Sequence, residues 1–514
     1  MIIKYKKEAD GLRAIAVIAI ICYHAQITIQ GYQLFKGGFI GVDIFFIISG
    51  YLITSTVFKN LISGTFSFKY FCKRRIQRIL PLLVFVILAT FPFAWLLLFP
   101  VDLMSYSKSA ITSLSFSSNL FYHYSGNIFG SIESLYKPLL NTWSLSVLIQ
   151  FYILFIVIFF LIFKYFNKFL IYFIFFGFIV SLGLANWLST YAPNFNFFIL
   201  PSRVWEFLAG SILAYFEIKH DRKGAKGNLN IVFSGTGLFL IAYSIFYFND
   251  QLNVNIFHPS IKTSIPIIGV FLIIWFSHEK NIITKILSSK FLVKIGQFSY
   301  SLYLWHYPIF AFNRLSNFTD NNIFKELFLG FVLVIVSISS YYLIEHLLKS
   351  KKIEFKKFFT LIILFILIIF ITNQLVITRN GFKDRFSKIY YKNNIDNEEL
   401  TKESWKYINN FTDQKFANNQ TFQSQNRIKV LIIGDSHSLD LFNILFLNKD
   451  LFKEYEFLRY GYNFFWQGND FDKINKNIIN FQNSKIFKQS DVILISDNFT
   501  NNHIIEFKAL KKLD

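Results

Sequence analysis

Eleven apolar segments constrain this chain more than any other feature of its sequence. A helix needs roughly 20 consecutive apolar residues to cross the hydrocarbon core of a bilayer. Segments of about that length lie at residues 10–30, 39–58, 79–99, 144–163, 169–189, 200–216, 230–248, 262–278, 297–315, 324–345 and 358–377. The sequence therefore predicts a polytopic α-helical membrane protein of about eleven transmembrane helices.

Charge predicts how these helices are oriented. The formal net charge is +21 although 54% of the residues are hydrophobic. A nucleic-acid-binding protein would be basic without being this apolar, whereas membrane proteins concentrate Lys and Arg in their cytoplasmic loops. Basic residues precede the first segment and recur in every even-numbered loop, including 69–78 and 219–226. We therefore expect a cytoplasmic N-terminus and, after eleven crossings, a C-terminus outside the cell membrane.

The composition changes after Thr378. Residues 379–427 are polar and rich in Asn, which is typical of a linker. From Ile428 onwards, "IKVLIIG" and "DVILISD" indicate two buried strands in an α/β arrangement of parallel strands. The "GDSH" that follows the first strand places Ser436 in a turn that can present a nucleophile.

Ionisable residues inside membrane helices are costly, so each is a candidate functional residue. The first helix holds Arg13 and His24. Eleven residues separate them by about 16 Å, close to three helical turns, so both face roughly the same side. A neutral imidazole in a helix bundle can act as a base. The alternative is an Arg that extends to the membrane interface and a His that bonds to a carbonyl group.

The second loop adds two arginines. Arg75 and Arg78 lie one helical turn apart, and guanidinium forks bind phosphate groups. They could equally serve only to set the topology. No metal site is indicated. The remaining candidates are Asp43, Arg203, Glu206 and His306, of which Arg203 and Glu206 could pair with each other and His306 could be a packing residue.

Several of these residues fall in recurrent motifs. An Arg, ten residues and a His appear as Arg13 and His24, and an Arg-x-x-Arg motif appears as Arg75 to Arg78. With "GGFIGVDIFFIISGYLIT", "RVWEFLAG" and "YSLYLWHYP", residues 5–350 resemble the acyltransferase-3 membrane family. The whole chain resembles the version fused to a C-terminal SGNH-hydrolase-like domain. This resemblance implies a ten-helix membrane domain at 1–350, a linking helix at 351–378, a linker at 379–427 and a partial SGNH-like domain at 428–514.

The resemblance also implies a function. Such proteins are acyltransferases of the bacterial inner (cytoplasmic) membrane. They move acetyl groups from cytoplasmic acetyl-CoA onto an exported glycan or lipid-linked glycan, such as lipopolysaccharide O-antigen, peptidoglycan or another polysaccharide. Arg75 and Arg78 would bind CoA, His24 would act in acyl transfer, and Arg13 would orient substrate or stabilise negative charge. Ser436 would be the SGNH nucleophile. Membrane lipids are the other expected partners, and the oligomeric state is left open.

The sequence departs from the family pattern at two places. Leu148 stands where the related block, "NTWSLSVLIQFY" here, has Glu. In the second domain the family places a base in an Asp-x-x-His block. The histidine that follows His437 here is His503, and its spacing from Asp497 differs. We therefore expect a truncated SGNH-like part in which Ser436 is an unactivated hydroxyl.

Two other functions compete with O-acyl transfer. One is a transporter or flippase of lipid-linked sugars, in which the buried charges form a permeation path. Such a protein needs neither an Arg pair placed for CoA nor a GDSH domain. The other is an inactive relative that acts as a scaffold, which Leu148 and the short second domain favour.

Overall fold

The structure, a computed structural model of the 514-residue chain, is mostly helical. The chain forms two units, Met1–Lys383 and Asp384–Asp514, and each is described by itself. The structure describes residues 6–29, 32–125, 132–219, 229–248, 258–278, 281–316, 323–346, 355–386, 421–434, 438, 441–442, 444–445, 449–461, 481 and 483–495.

Fifteen α-helices lie in the described part of the first unit, and a short antiparallel pair of strands, β1 Thr28–Ile29 and β2 Tyr32–Gln33, follows the first helix. In chain order the helices are α1 Lys7–His24, α2 Gly41–Ile62, α3 Phe68–Leu97, α4 Pro100–Leu114, α5 Ser118–Tyr124, α6 Thr142–Phe166, α7 Leu170–Tyr191, α8 Pro193–Phe198, α9 Val204–Lys219, α10 Leu229–Tyr247, α11 Ser264–Phe276, α12 Ile282–Leu287, α13 Lys290–Ser316, α14 Ile323–Ser340 and α15 Phe355–Thr378. A π-helical turn, Tyr341–His346, continues α14.

The predicted membrane class is confirmed by these helices. Each of the eleven apolar segments overlaps one helix. Among the described residues, six stretches are long and apolar enough to cross a membrane: Gly38–Ile62, Phe68–Leu97, Thr142–Tyr191, Leu229–Tyr247, Leu327–His346 and Phe359–Thr378. One of these stretches, Thr142–Tyr191, contains both α6 and α7. The number of crossings, the orientation of the termini and the domain boundaries stay predictions.

Four short helices, α4, α5, α8 and α12, were not predicted from the apolar segments. Helix α4 begins with Pro100, which fits the first turn of a helix because no backbone N–H is needed there. Its buried face is polar and includes Tyr106, whose hydroxyl lies 2.7 Å from the hydroxyl of Thr90. A search for long apolar segments misses such a helix because four of its seven buried residues carry hydroxyl groups.

Glycines bring two helix pairs into close contact. A Cβ atom at Gly50 of α2 would lie 2.0 Å from the Phe207 carbonyl oxygen of α9, and one at Gly210 would lie 2.1 Å from the Ile47 carbonyl oxygen. On α13, a Cβ at Gly296 would lie 2.0 Å from the Asp10 carbonyl oxygen of α1. Small residues allow helix backbones in membranes to approach this closely. The pairs α2–α9 and α1–α13 are therefore packed with their backbones in close contact.

The second unit contains a three-stranded parallel sheet. Its order is β4 Tyr455–Gly461, β3 Ile428–Gly434, β5 Val492–Ile495, and a short helix, α16 Lys485–Gln489, precedes β5. Strands β3 and β5 are the two predicted strands. Strand β4 was missed because "YEFLRYG" carries two charged residues. The prediction that both strands are buried is wrong for β5, whose Val492, Ile493 and Leu494 are 37–40% exposed.

The predictions for the catalytic part of this unit concern Ser436, Asp497 and His503. All three lie outside the described residues, as does most of the predicted linker. They stay predictions.

We expect Gly210→Val to lower the free energy of unfolding by about 1–3 kcal/mol or more, because overpacking a close backbone contact forces the helices apart. Gly183→Val on α7 is the matched control, since a Cβ there meets nothing within 4 Å. Thermal unfolding of the purified variants in detergent would measure the difference. Equal unfolding midpoints for the two variants would contradict the close packing of α2 against α9.

Candidate active site

Helix α1 contributes to two cavities inside the first unit. Arg13, in its first half, lines one cavity together with Arg75 and Arg78 of α3. His24, its last residue, lines the other. The structure thus brings together three of the four arginines that the sequence singled out. We call these two spaces the arginine cavity and the histidine cavity.

The arginine cavity has a volume of about 110 Å³. Arg75 is half-buried and lies 5.1 Å from the ring centroids of both Phe71 and Tyr152, while Arg78 is exposed. Arg13 donates from Nη1 to Asp10 Oδ1 at 2.8 Å. Within the described ranges, the salt bridges to carboxylates include neither Arg75 nor Arg78. The cavity therefore keeps an uncompensated positive charge that suits an anionic ligand.

A helix cap and a hydrogen bond between two helices position the arginines of α3. Helix α3 begins after Ser67, whose hydroxyl accepts a hydrogen bond from the Tyr70 backbone N–H. Tyr300 of α13 donates its hydroxyl to the Ile79 carbonyl oxygen at 2.7 Å, which ties α13 to α3 beside Arg78. The wall also includes Leu148, the residue that departs from the family pattern. That departure therefore lies within the site.

The histidine cavity is much smaller, about 10 Å³, which is room for about one water molecule. His24 Nδ1 lies 3.1 Å from Nε2 of His306, and His306 Nδ1 lies 2.6 Å from the Tyr303 carbonyl oxygen. Both imidazoles are buried, with 7% and 0% of their surface exposed. Arg314 of α13 hydrogen-bonds to the His24 carbonyl oxygen. His306, which the sequence left between function and packing, is in direct contact with His24.

Arg203, which lines the same cavity, lies at the centre of a buried charge cluster. Arg203 donates from Nη1 to Asp43 Oδ1 at 2.8 Å and to Glu206 Oε1 at 2.9 Å. Its Nε donates to the Phe197 carbonyl oxygen at 3.1 Å. All three charged side chains are at most 1% exposed. The pairing of Arg203 with Glu206 is confirmed, and Asp43 joins it from α2.

His258 completes this cluster and was missed by sequence reasoning. Its Nε2 lies 3.0 Å from Arg203 Nη1 and 3.3 Å from Asp43 Oδ1, and it lines the histidine cavity. It stands between apolar segments, where a lone His is unremarkable. Its role depends on contacts with residues that are distant in sequence.

The two cavities share part of their walls. Val42 of α2 and Tyr303 of α13 line both. Tyr303 is firmly held, because its hydroxyl donates to the Asn141 carbonyl oxygen at 2.9 Å and lies 2.5 Å from the Ser144 hydroxyl. A cavity lined by three arginines therefore adjoins one that contains a buried imidazole.

Comparison with known proteins identifies the family. The sequence profile of the acyltransferase-3 family, described as "Acyltransferase domain", matches residues 6–345. The chain belongs to the acyltransferase-3 family. The O-acetyltransferase OatA of Staphylococcus aureus strain NCTC 8325 is 33% identical over 318 residues, which cover 60% of this chain and 51% of OatA. A candidate O-acetyltransferase of S. aureus strain MSSA476 is 35% identical over 321 residues, with the same coverage.

The chain spans about half the length of these curated relatives. No solved structure shows significant similarity to it. The family match contains Arg13, His24, Asp43, Arg75, Arg78, Arg203, Glu206 and His306 and ends before Ser436. The resemblance is therefore confirmed for the membrane part, and the SGNH-like part stays a prediction.

We expect Arg203→Gln to lower the free energy of unfolding by about 3–5 kcal/mol, because it leaves Asp43 and Glu206 buried without their guanidinium partner. Asp43→Asn in the same chain should recover part of the loss by removing one of those charges. Arg74→Gln, at an exposed cation of α3, is the control and should change stability by about 0.5 kcal/mol or less. Detergent unfolding curves that coincide for Arg203→Gln and Arg74→Gln would contradict the role of the cluster.

Proposed function

We propose that this protein is a membrane O-acyltransferase that transfers acetyl from acetyl-CoA to a hydroxyl group of a cell-envelope glycan. The observation that carries the proposal is the shared wall of Val42 and Tyr303, which sets a cationic cavity beside a buried imidazole. Membership of the acyltransferase-3 family and similarity to proteins named O-acetyltransferases support the reaction type.

The arginine cavity suits the donor. CoA carries several phosphate charges, and guanidinium groups bind phosphate oxygens through paired hydrogen bonds. Arg78 is exposed, whereas Arg75 and Arg13 are half-buried, so the positive charge extends from the surface into the cavity. Apolar residues such as Phe45 and Leu145 line the rest and suit the uncharged thioester arm. A cavity of about 110 Å³ holds only part of a molecule as large as CoA, so the phosphates would remain near the surface.

His24 would supply the base. It takes the proton of the acceptor hydroxyl while the hydroxyl oxygen forms a bond to the thioester carbonyl carbon. The carbon–sulfur bond then breaks, and the departing CoA thiolate takes the proton back from the imidazolium. The products are an acetyl ester and CoA thiol. Arg13, about 16 Å from His24 along the same helix, would orient the donor in the arginine cavity.

The location of the reaction follows from the loop charges. The excess of basic residues supports a cytoplasmic location for the starts of α1 and α3, and the family resemblance supports a bacterial inner membrane. CoA would then enter from the cytoplasm, and the end of α1 that carries His24 would lie toward the exported acceptor. The second unit would lie outside and act on the same glycan or lipid-linked glycan. Lipopolysaccharide, peptidoglycan and other polysaccharides are the acceptor classes that this arrangement suits.

A transporter or flippase of lipid-linked sugars fits the cavities less well. A flippase must pass a whole sugar unit, whereas acyl transfer brings only one hydroxyl group to His24, and the histidine cavity has room for about one water molecule. The buried charges of the Arg203 cluster are hydrogen-bonded to one another. Release of CoA thiol from acetyl-CoA by the purified chain separates the two functions, because a transporter would leave the thioester intact.

We expect His24→Ala to abolish glycan O-acetylation while abundance and membrane insertion stay near wild type. A general base contributes about 10²–10⁴-fold to the rate. His123→Ala is the matched control, because His123 on α5 lines neither cavity. Mass spectrometry of cell-envelope glycans, together with thiol release in proteoliposomes, would measure the loss. Unchanged acetylation in the His24 variant would remove this residue from the mechanism.

The double variant Arg75→Lys with Arg78→Lys should keep the topology and raise KM for acetyl-CoA by about tenfold, or ~1.4 kcal/mol. Lys keeps the charge but offers a point donor where Arg offers a fork. Arg74→Lys, one residue away and outside the cavity, should leave KM unchanged. An unaltered KM in the double variant would show that the pair serves only to set topology.

A further inference from the structure

We propose that His306 is a positioning residue that fixes the tautomer of His24, so that His24 Nε2 carries the lone pair used in acyl transfer. This inference rests on the proposed function and assigns a role to a contact that the proposed function leaves unused. Its basis is the chain of hydrogen bonds from the Tyr303 carbonyl oxygen through His306 to His24.

The first link determines which nitrogen of His306 carries a proton. A carbonyl oxygen can only accept, so His306 Nδ1, 2.6 Å away, must donate. The oxygen itself is held in place, since Asn141 Nδ2 donates to the same Tyr303 carbonyl at 2.6 Å. The Tyr303 side chain is fixed as well, by hydrogen bonds with Asn141 and Ser144. His306 thus presents a defined face to α1.

The second link determines the tautomer of His24. A neutral imidazole that donates from Nδ1 accepts at Nε2. His306 Nε2 therefore accepts from His24 Nδ1 at 3.1 Å, and a neutral His24 carries its lone pair on Nε2. Burial favours neutral rings, because an unpaired buried charge is costly. Arg314, whose guanidinium hydrogen-bonds to the His24 carbonyl oxygen, adds a nearby positive charge that opposes a second one.

Other groups around His24 do not replace this contact. Tyr23 and Tyr307 face its ring edge-to-face, with centroids 4.9 and 4.8 Å away. The Ile20 carbonyl, one turn earlier in α1, also interacts with the ring. It already serves the backbone of the helix, so it is a shared acceptor. Arg203 and His258 line the same cavity as His24.

The arrangement resembles a catalytic triad, in which a third group orients the general base by a hydrogen bond. Here the orienting group is an imidazole held by a main-chain carbonyl. When His24 takes the proton of the hydroxyl, its Nδ1–H still donates to His306, which stabilises the imidazolium. A residue that served only for packing would not need a hydrogen-bond acceptor that faces His24 Nδ1.

Two variants separate positioning from packing. His306→Leu fills similar space but removes the acceptor, whereas His306→Gln keeps an amide oxygen that can accept from His24 Nδ1. With the full chain in proteoliposomes and acetyl-CoA as the probe, we expect His306→Leu to lower kcat for thiol release by about 10–100-fold. KM for acetyl-CoA should stay within about twofold, and His306→Gln should recover most of the kcat. A Gln variant no faster than the Leu variant would overturn the proposal.

Nitrogen-15 NMR tests the tautomer without any change at position 306. In the histidine-labelled full chain, the signal that disappears in His24→Ala should show a protonated Nδ1 and an unprotonated Nε2. The opposite tautomer would overturn the inference even if the Leu variant failed to fold. A wild-type chain that released no thiol would overturn the proposed function and this inference together. Wild-type rates in His306→Leu would overturn the inference alone.

Discussion

The close pairing of α1 with α13 is the contact on which the rest of the site depends. The main chain at Gly296 lies so near the Asp10 carbonyl oxygen that a Cβ could not fit between them. At the other end of the same pair, Arg314 reaches the His24 carbonyl oxygen. Because one turn of helix advances by about 5.4 Å, a slip of a single turn would separate His24 from His306. The fixed register also places Tyr303 between the two cavities.

Electrostatics divides the interior into two unlike environments. Arg75 and Arg78 share their cavity with Leu148, where the related motif has a carboxylate, so nothing in that wall position reduces the positive charge. In the histidine cavity, Arg203 is already engaged by two carboxylates. One cavity is therefore suited to bind an anion, and the other to keep an imidazole neutral and in place.

Much of the first unit could be predicted from the sequence, because apolar length and buried charge are local properties. In this way the sequence singled out Arg13, His24, Arg75 and Arg78 as candidates, and it predicted the pairing of Arg203 with Glu206, three residues away. Asp43, 160 residues from Arg203, was found only as a separate candidate, because no local pattern encodes such a contact. His258 and α4 were missed for related reasons: one lies in a connecting segment, and the other has a polar buried face.

The common wall of Val42 and Tyr303 has an electrical consequence for a protein in an energised membrane. Moving one elementary charge across a bilayer takes about 2.3 kcal/mol per 100 mV, and CoA carries several charges. An acetyl group carries none, so passing it from the arginine cavity to the histidine cavity requires no electrical work. Val42 and Tyr303 line both spaces, so the step between the cavities would carry an uncharged group past two side chains. On the proposed function, the protein would export an acetyl group without moving net charge across the membrane.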